Sequence, residues 1–171
     1  NWLREEVEVK DLISLFFDAL EEQTPELRKE KVKLNFIGDI SRFNKKLIKQ
    51  IEKSKKLTEE YEPRLNLIIA ASYGGKWDII NAVKKFHADK NSIDLNENSL
   101  ENYLETKNFP NPDLIIRSGG EKRLSNFYLW QSSYSELFFS DKLWPDFNVK
   151  DFDIALEDFR SRKRKFGVET G

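Results

Sequence analysis

The sequence predicts an α/β fold: a single domain with a mainly parallel β-sheet flanked by helices. Three observations carry that expectation. Strand-like and helix-like stretches alternate along the chain. One of the strand-like stretches, "RLNLIIAAS" at residues 64–72, is almost continuously apolar, as a parallel strand covered on both faces is. Three of them run into the loops "GDISRF", "SYGGKWD" and "RSGGEKRLSN". In open α/β sheets, ligands sit beyond the carboxyl ends of the strands.

The elements follow in order. From Glu6 to about Lys29, Val9, Leu12, Ile13, Phe16, Ala19 and Leu20 recur at helical spacing, and Leu15 and Phe17 widen the stripe. "KVKLNFIG" (residues 31–38) alternates and ends in glycine, which predicts a strand. The next helix carries Phe43, Leu47, Ile48 and Ile51 on one face, with Asp39 or Ser41 as its cap. Residues 64–72 are the second strand. "YGGKWDIINAVKKF" is a glycine turn followed by a helix through Trp77, Ile80, Ala82 and Val83. Residues 91–98 are polar and read as a loop. Leu100, Tyr103 and Leu104 mark a short helix, residues 113–117 a strand, and "SELFFSD" another. "DFDIALEDFRSRKRKF" closes the chain as an amphipathic helix. Trp77, Trp130 and Trp144 are expected to be packing residues.

The chain has 171 residues, 39% hydrophobic and 35% charged, which suits one soluble globular domain. The net charge of -1 supplies no global field toward nucleic acid or anionic lipid, so an anion site must be local. The basic run "RSRKRKF" lies among acids and aromatics with no nucleic-acid motif beside it. No apolar run reaches the roughly 18–20 residues of a membrane span, and no signal-peptide pattern opens the chain. The absence of cysteine removes disulfides and thiolate chemistry, and one histidine, His87, excludes a multi-histidine metal cluster. The expected location is cytoplasmic. There is no methionine, even at position 1, and "NWLREEVEVKDL" begins abruptly, so the chain reads as a piece lacking its N-terminal part.

The stretch "DLIIRSGGEKRLSNFYLWQ" (residues 113–131) concentrates anion-binding groups behind a strand. Gly119 and Gly120 let backbone amides approach an anion closely. Arg117 and Arg123 offer rigid donor forks, and Ser125 adds a hydroxyl. Each charge-assisted hydrogen bond contributes about 1.5–3 kcal/mol. A diphosphate fits such a loop. Composition leaves a second reading open, a solvated turn whose arginines pair with Glu121 and nearby acids.

The longer stretch "DLIIRSGGEKRLSNFYLWQSSYSELFFSDKLWPDF" resembles the C-terminal signature of the cis-prenyltransferases, the undecaprenyl diphosphate synthase family. "GDISRF", "ASYGGKWDI" and "RKRKFG" fall in the family's order, and "NW" at the start looks like the end of its serine-x-glutamate-asparagine-tryptophan segment. The resemblance implies a magnesium-dependent transferase in isoprenoid biosynthesis. It would condense isopentenyl diphosphate onto farnesyl diphosphate with cis stereochemistry, making the undecaprenyl carrier lipid of peptidoglycan and cell-wall synthesis. A non-catalytic accessory subunit of the same fold is the alternative. Retention of Arg117, Glu121, Arg123, Ser125 and Asn126 favours the enzyme.

By the same resemblance, Arg117, Arg123 and Ser125 would bind isopentenyl diphosphate, and Arg4 would lie near the diphosphates. Asn1 would orient the reacting groups, and Glu136 would help hold magnesium. Taken alone, Glu136 reads as an ordinary surface acid, and Arg4 reads equally as a solvated surface residue. An apolar tunnel would take the growing chain, gaining up to about 4 kcal/mol per five-carbon unit. Leu12, Leu15, Phe16, Ala19, Leu34, Phe36, Leu65, Leu67 and Ile69 are its candidate wall, with ordinary core as the alternative for each. The family's C-terminal arginine-x-glycine reads Lys165, Phe166, Gly167 here, and a family histidine in the anion loop is Lys122. The resemblance also implies a homodimer and at most peripheral membrane contact for product release. The magnesium-binding aspartate segment of the family would lie upstream of Asn1. Residues 1–171 are thus expected to be a cis-prenyltransferase domain without its first strand and allylic-diphosphate loop, and inactive alone.

Overall fold

The computed structural model describes residues 6–90 and 94–164. The chain divides into two compact units, Asn1–Tyr73 and Gly74–Gly171. The fold class is α/β, and among the described residues each unit holds one pair of parallel strands with helices beside it.

In the first unit, α1 spans Glu6–Lys29, β1 Val32–Ile37, α2 Lys45–Leu57 and β2 Leu65–Ala70. The strands pair in parallel, with Leu34 opposite Leu67 and Phe36 opposite Ile69. Leu20, Leu47 and Ile51 form the buried core, packed by Ile13, Phe16, Phe17, Phe36, Phe43 and Ile69. Apolar residues at helical spacing on α1 and α2 therefore close over alternate residues of the strands. Thr24 Oγ1 donates to Ser54 Oγ at 2.8 Å and pins α1 to α2. The helices cover β1 and only the end of β2. Leu34 is fully buried, whereas Leu65 is 56% exposed. The expectation of two covered faces thus fails over the first half of β2.

The cap of α2 also differs from the expected one. A 3-10 turn, Ile40–Arg42, intervenes, and Asn44 caps the helix by accepting from Leu47 N at 2.9 Å. Asp39 instead accepts from the Ser41 hydroxyl. Gly38 makes this turn with φ at +111°, and a Cβ there would collide with the Ala71 carbonyl oxygen.

In the second unit, α3 spans Gly75–Ala88, α4 Glu97–Glu101, β3 Leu114–Arg117, β4 Glu136–Phe139 and α5 Val149–Ser161. β3 and β4 are parallel, with Leu114 opposite Glu136 and Arg117 opposite Phe139. Ala82, Leu100 and Leu104 form the core with Val83, Tyr103 and Trp130. Trp130 also donates from its indole to Glu101 at 3.1 Å. Trp144, expected to pack, is 75% exposed. It follows the strand in a 3-10 turn, where its neighbour Phe147 stacks on it at 6.1 Å.

Candidate active site

β3 delivers Arg117 to the carboxyl end of its strand pair, and the chain then turns back on itself. Gly119 and Gly120 have φ of +95° and +76°. Their amides donate to Lys142 O at 2.7 Å and Ser140 O at 2.9 Å. This corrects the expected role of the glycines. Their N–H groups extend the pairing past the strand ends and are already used, so these two amides do not hold an anion.

The polar side chains of the loop converge. Arg117 Nη1 donates to Ser125 Oγ at 2.9 Å and also to the Arg123 carbonyl oxygen. Ser125 accepts in that bond, which leaves its hydroxyl proton available to an anion. Arg123 pairs with Glu121, as the plainer reading of the loop anticipated, and both side chains are more than half exposed. Each guanidinium carries five N–H donors, so donors remain on both after these bonds. The structure therefore brings Arg117, Arg123 and Ser125 into one loop.

The backbone of this loop is unusual. Ser125, Asn126 and Tyr128 all have positive φ, at 49°, 64° and 46°. Side chains other than glycine adopt this region at a cost, and such strain persists where the surroundings impose it. Here the surroundings are the start of α3. Asn126 O accepts from Gly75 N at 2.6 Å, and Asn126 Oδ1 accepts from Lys76 N at 2.9 Å. Gly74, at the cap position of α3, makes no side-chain cap, so Asn126 serves from fifty residues downstream. A Cβ on Gly75 would meet Leu129. The "SYGGKWD" glycines thus allow close packing of the second loop rather than cradling a ligand.

Beneath the loop lies a buried polar network. Asp78, 1% exposed, accepts from Glu105 N at 2.9 Å and from Gln131 Nε2 at 3.0 Å, and Gln131 Nε2 also donates to Thr106 Oγ1. Burial first, and then the charge of Asp78, push the Tyr128 phenol above its ordinary range. The sequence reasoning missed Asn126 and Asp78 as positioning groups. A glycine at a helix start with no capping side chain of its own was the available signal.

Glu136 is placed elsewhere. It begins β4, opposite Leu114, three residue pairs from Arg117 and so about 10 Å along the strands. Its carboxylate accepts from Arg162 Nη1 at 2.8 Å, and Arg162 also holds Asp158 and the Leu137 carbonyl. The hydrogen bond to Glu136, foremost, raises the guanidinium above its ordinary value. Among the described residues no three acidic or histidine side chains gather as a metal site. Within the described residues the Glu136 carboxylate is engaged by Arg162 and has no group of acidic side chains gathered beside it as metal ligands. Asn1, Arg4 and Lys165–Gly167 lie outside the described residues.

The tunnel candidates separate as well. In the first unit a cavity of about 380 Å³ is lined by Leu12, Ile13, Phe16, Phe43, Ile69 and Tyr73, among others. Leu12, Phe16 and Ile69 are thus brought together on one wall. Phe36 touches Phe16 from the adjacent core, with ring centroids 6.4 Å apart. Leu34 is buried core, and Leu15, Ala19, Leu65 and Leu67 are exposed.

Comparison with known proteins gives consistent results. The family model described as "Putative undecaprenyl diphosphate synthase" matches residues 1–167. The chain is 46% identical to a ditrans,polycis-undecaprenyl-diphosphate synthase, (2E,6E)-farnesyl-diphosphate specific, of Haemophilus influenzae, over 98% of this chain and 72% of that protein. The synthase of the same name from Coxiella burnetii is 44% identical over 98% of this chain and 73% of its own length. Among solved structures, lavandulyl diphosphate synthase from Lavandula x intermedia, in complex with dimethylallyl diphosphate, is 36% identical with a TM-score of 0.91. That match covers 98% of this chain and 74% of the other. A probable undecaprenyl diphosphate synthase from Campylobacter jejuni is also 36% identical, with a TM-score of 0.89 over 98% and 78%.

Proposed function

The chain belongs to the undecaprenyl diphosphate synthase family of prenyltransferases, and from that premise we propose that it condenses isopentenyl diphosphate onto farnesyl diphosphate. Each cycle adds five carbons with a cis double bond, toward the undecaprenyl carrier lipid of cell-wall synthesis. The observation that carries the reading is the strained loop of Arg117, Arg123 and Ser125 at the carboxyl end of β3, clamped to α3 by Asn126.

In this proposal the two arginines and the Ser125 hydroxyl hold the isopentenyl diphosphate, with Arg123 exchanging Glu121 for the substrate. Charge-assisted bonds to a diphosphate replace one exposed ion pair, and such a pair contributes about 0–1 kcal/mol. The apolar cavity of the first unit takes growing hydrocarbon. Asn1 and Arg4 keep their proposed roles beside the reacting groups. Magnesium enters as the counter-ion of the diphosphates.

Two further elements belong to the proposal. No described helix is long and apolar enough to cross a membrane, and the proposed location is the cytoplasm, with peripheral membrane contact for product release. The proposed assembly is a homodimer, supported by exposed Leu143, Trp144, Val149 and Ile154 in the second unit. Light scattering of the intact protein at micromolar concentration should give twice the chain mass, and a monomer would count against the dimer.

The function is tested with radiolabelled isopentenyl diphosphate, farnesyl diphosphate and magnesium. The expected result is a ladder of polyprenyl diphosphates whose added double bonds are cis by carbon-13 NMR. Trans bonds, or no incorporation by the folded intact protein, would overturn the reading.

A further inference from the structure

Helix α2 reads "KKLIKQIEKSKKL", with six lysines against one glutamate, in a chain whose net charge is -1. At 100° per residue, Lys45, Lys46, Lys49, Lys53 and Lys56 fall within one arc of about 100°. All five are exposed, and the opposite face buries Leu47, Gln50, Ile51 and Ser54. Lys55 pairs with Glu52, but among the described residues Lys45, Lys49, Lys53 and Lys56 have no acidic partner. Like charges three and four positions apart repel along a helix, so this face carries an unrelieved positive field.

Its position is informative. Phe43, two residues before α2 begins, lines the apolar cavity of the first unit. Lys46 Nζ lies 4.1 Å from the ring centroid of Phe17, a residue of the same core cluster. The start of the basic face therefore lies close in the chain to Phe43 of the cavity wall. From this we infer that the lysine face of α2 docks the protein on an anionic lipid bilayer.

The inference rests on the proposed function, which makes a product that is apolar along nearly all its length and must leave for a bilayer. A surface that is basic beside an apolar groove matches anionic headgroups above hydrocarbon. The apolar side of α2 is committed to the core, so attachment is electrostatic and reversible rather than by insertion. Each lysine near such a surface strengthens attachment about fivefold.

The test is co-sedimentation of the intact protein with two sets of vesicles. One is phosphatidylcholine alone, and the other contains roughly one-third phosphatidylglycerol, a composition that gives a negative surface potential. The wild-type protein should bind the anionic vesicles only, and about 0.5 M salt should release it. The K45Q/K49Q/K53Q/K56Q variant should lose about 100-fold or more in affinity. Glutamine preserves helix propensity, so its circular dichroism should match wild type, and arginine at the same four positions should restore binding. Condensation in detergent solution should be unchanged, because none of the four belongs to the anion loop. Equal vesicle binding by the glutamine variant, equal binding to neutral vesicles, or tighter binding to a DNA duplex would each overturn the inference. Absence of condensation by the wild-type protein would strike the proposed function, whereas loss of lysine dependence alone would strike only this surface.

Discussion

Arg123→Ala in the intact protein should raise the KM for isopentenyl diphosphate about 10- to 100-fold, the equivalent of one charge-assisted contact. Arg123 is exposed, and among the described residues its hydrogen bonds stay within its own loop. Its removal therefore takes away donors without opening a cavity, and thermal stability should stay close to wild type. Arg123→Lys should recover only part of the loss, since the ammonium keeps the charge without the fork. The KM for farnesyl diphosphate should change little. Equal weakening of both substrates would mean that this loop is not the isopentenyl site. Arg117→Ala should act on both stability and binding, because Arg117 also holds the Arg123 carbonyl and the Ser125 hydroxyl.

Asn126→Ala is the second large effect. Asn126 supplies two acceptors to the open start of α3 and sits at φ 64°. Losing the side-chain cap costs about 0.5–2 kcal/mol. Alanine in the left-handed region adds about 1 kcal/mol relative to asparagine. The melting temperature should fall. More tellingly, kcat/KM for isopentenyl diphosphate should fall by about 100-fold, since a shift of about 1 Å in a positioned group has that consequence. Asn126→Asp keeps the acceptor oxygen and tolerates the same backbone, so it should recover most activity. A variant that melts early but turns over normally would reduce Asn126 to a purely structural role.

Much of this architecture was legible in advance. Period-3.6 apolar spacing located α1, α2, α3 and α5, and the runs at residues 31–38, 64–72 and 113–117 located three of the strands. The position of the Arg117–Asn126 loop at a strand end was legible from the apolar run before it, whereas composition alone left open whether its arginines serve an anion or pair with Glu121, as Arg123 does. What could not be read is what depends on contacts distant in sequence. Asn126 caps a helix fifty residues earlier, and no local pattern records that. The glycine amides looked free because pairing with Ser140 and Lys142 is tertiary. The strand register places Glu136 at the opposite end from Arg117, although both lie in one continuous motif. Leu34 and Leu12 have the same chemistry, and only the fold makes one core and the other a cavity wall.

The most direct test of the account is a crystal structure of the intact protein with a non-reacting thio analogue of isopentenyl diphosphate. The account predicts the diphosphate on the Arg117–Asn126 loop, with oxygens about 2.7–2.9 Å from the Arg117 and Arg123 guanidinium nitrogens. It also predicts Arg123 turned away from Glu121, and Asn126 still seated on Gly75 and Lys76. A diphosphate bound at another loop, with Arg123 still paired to Glu121, would contradict it.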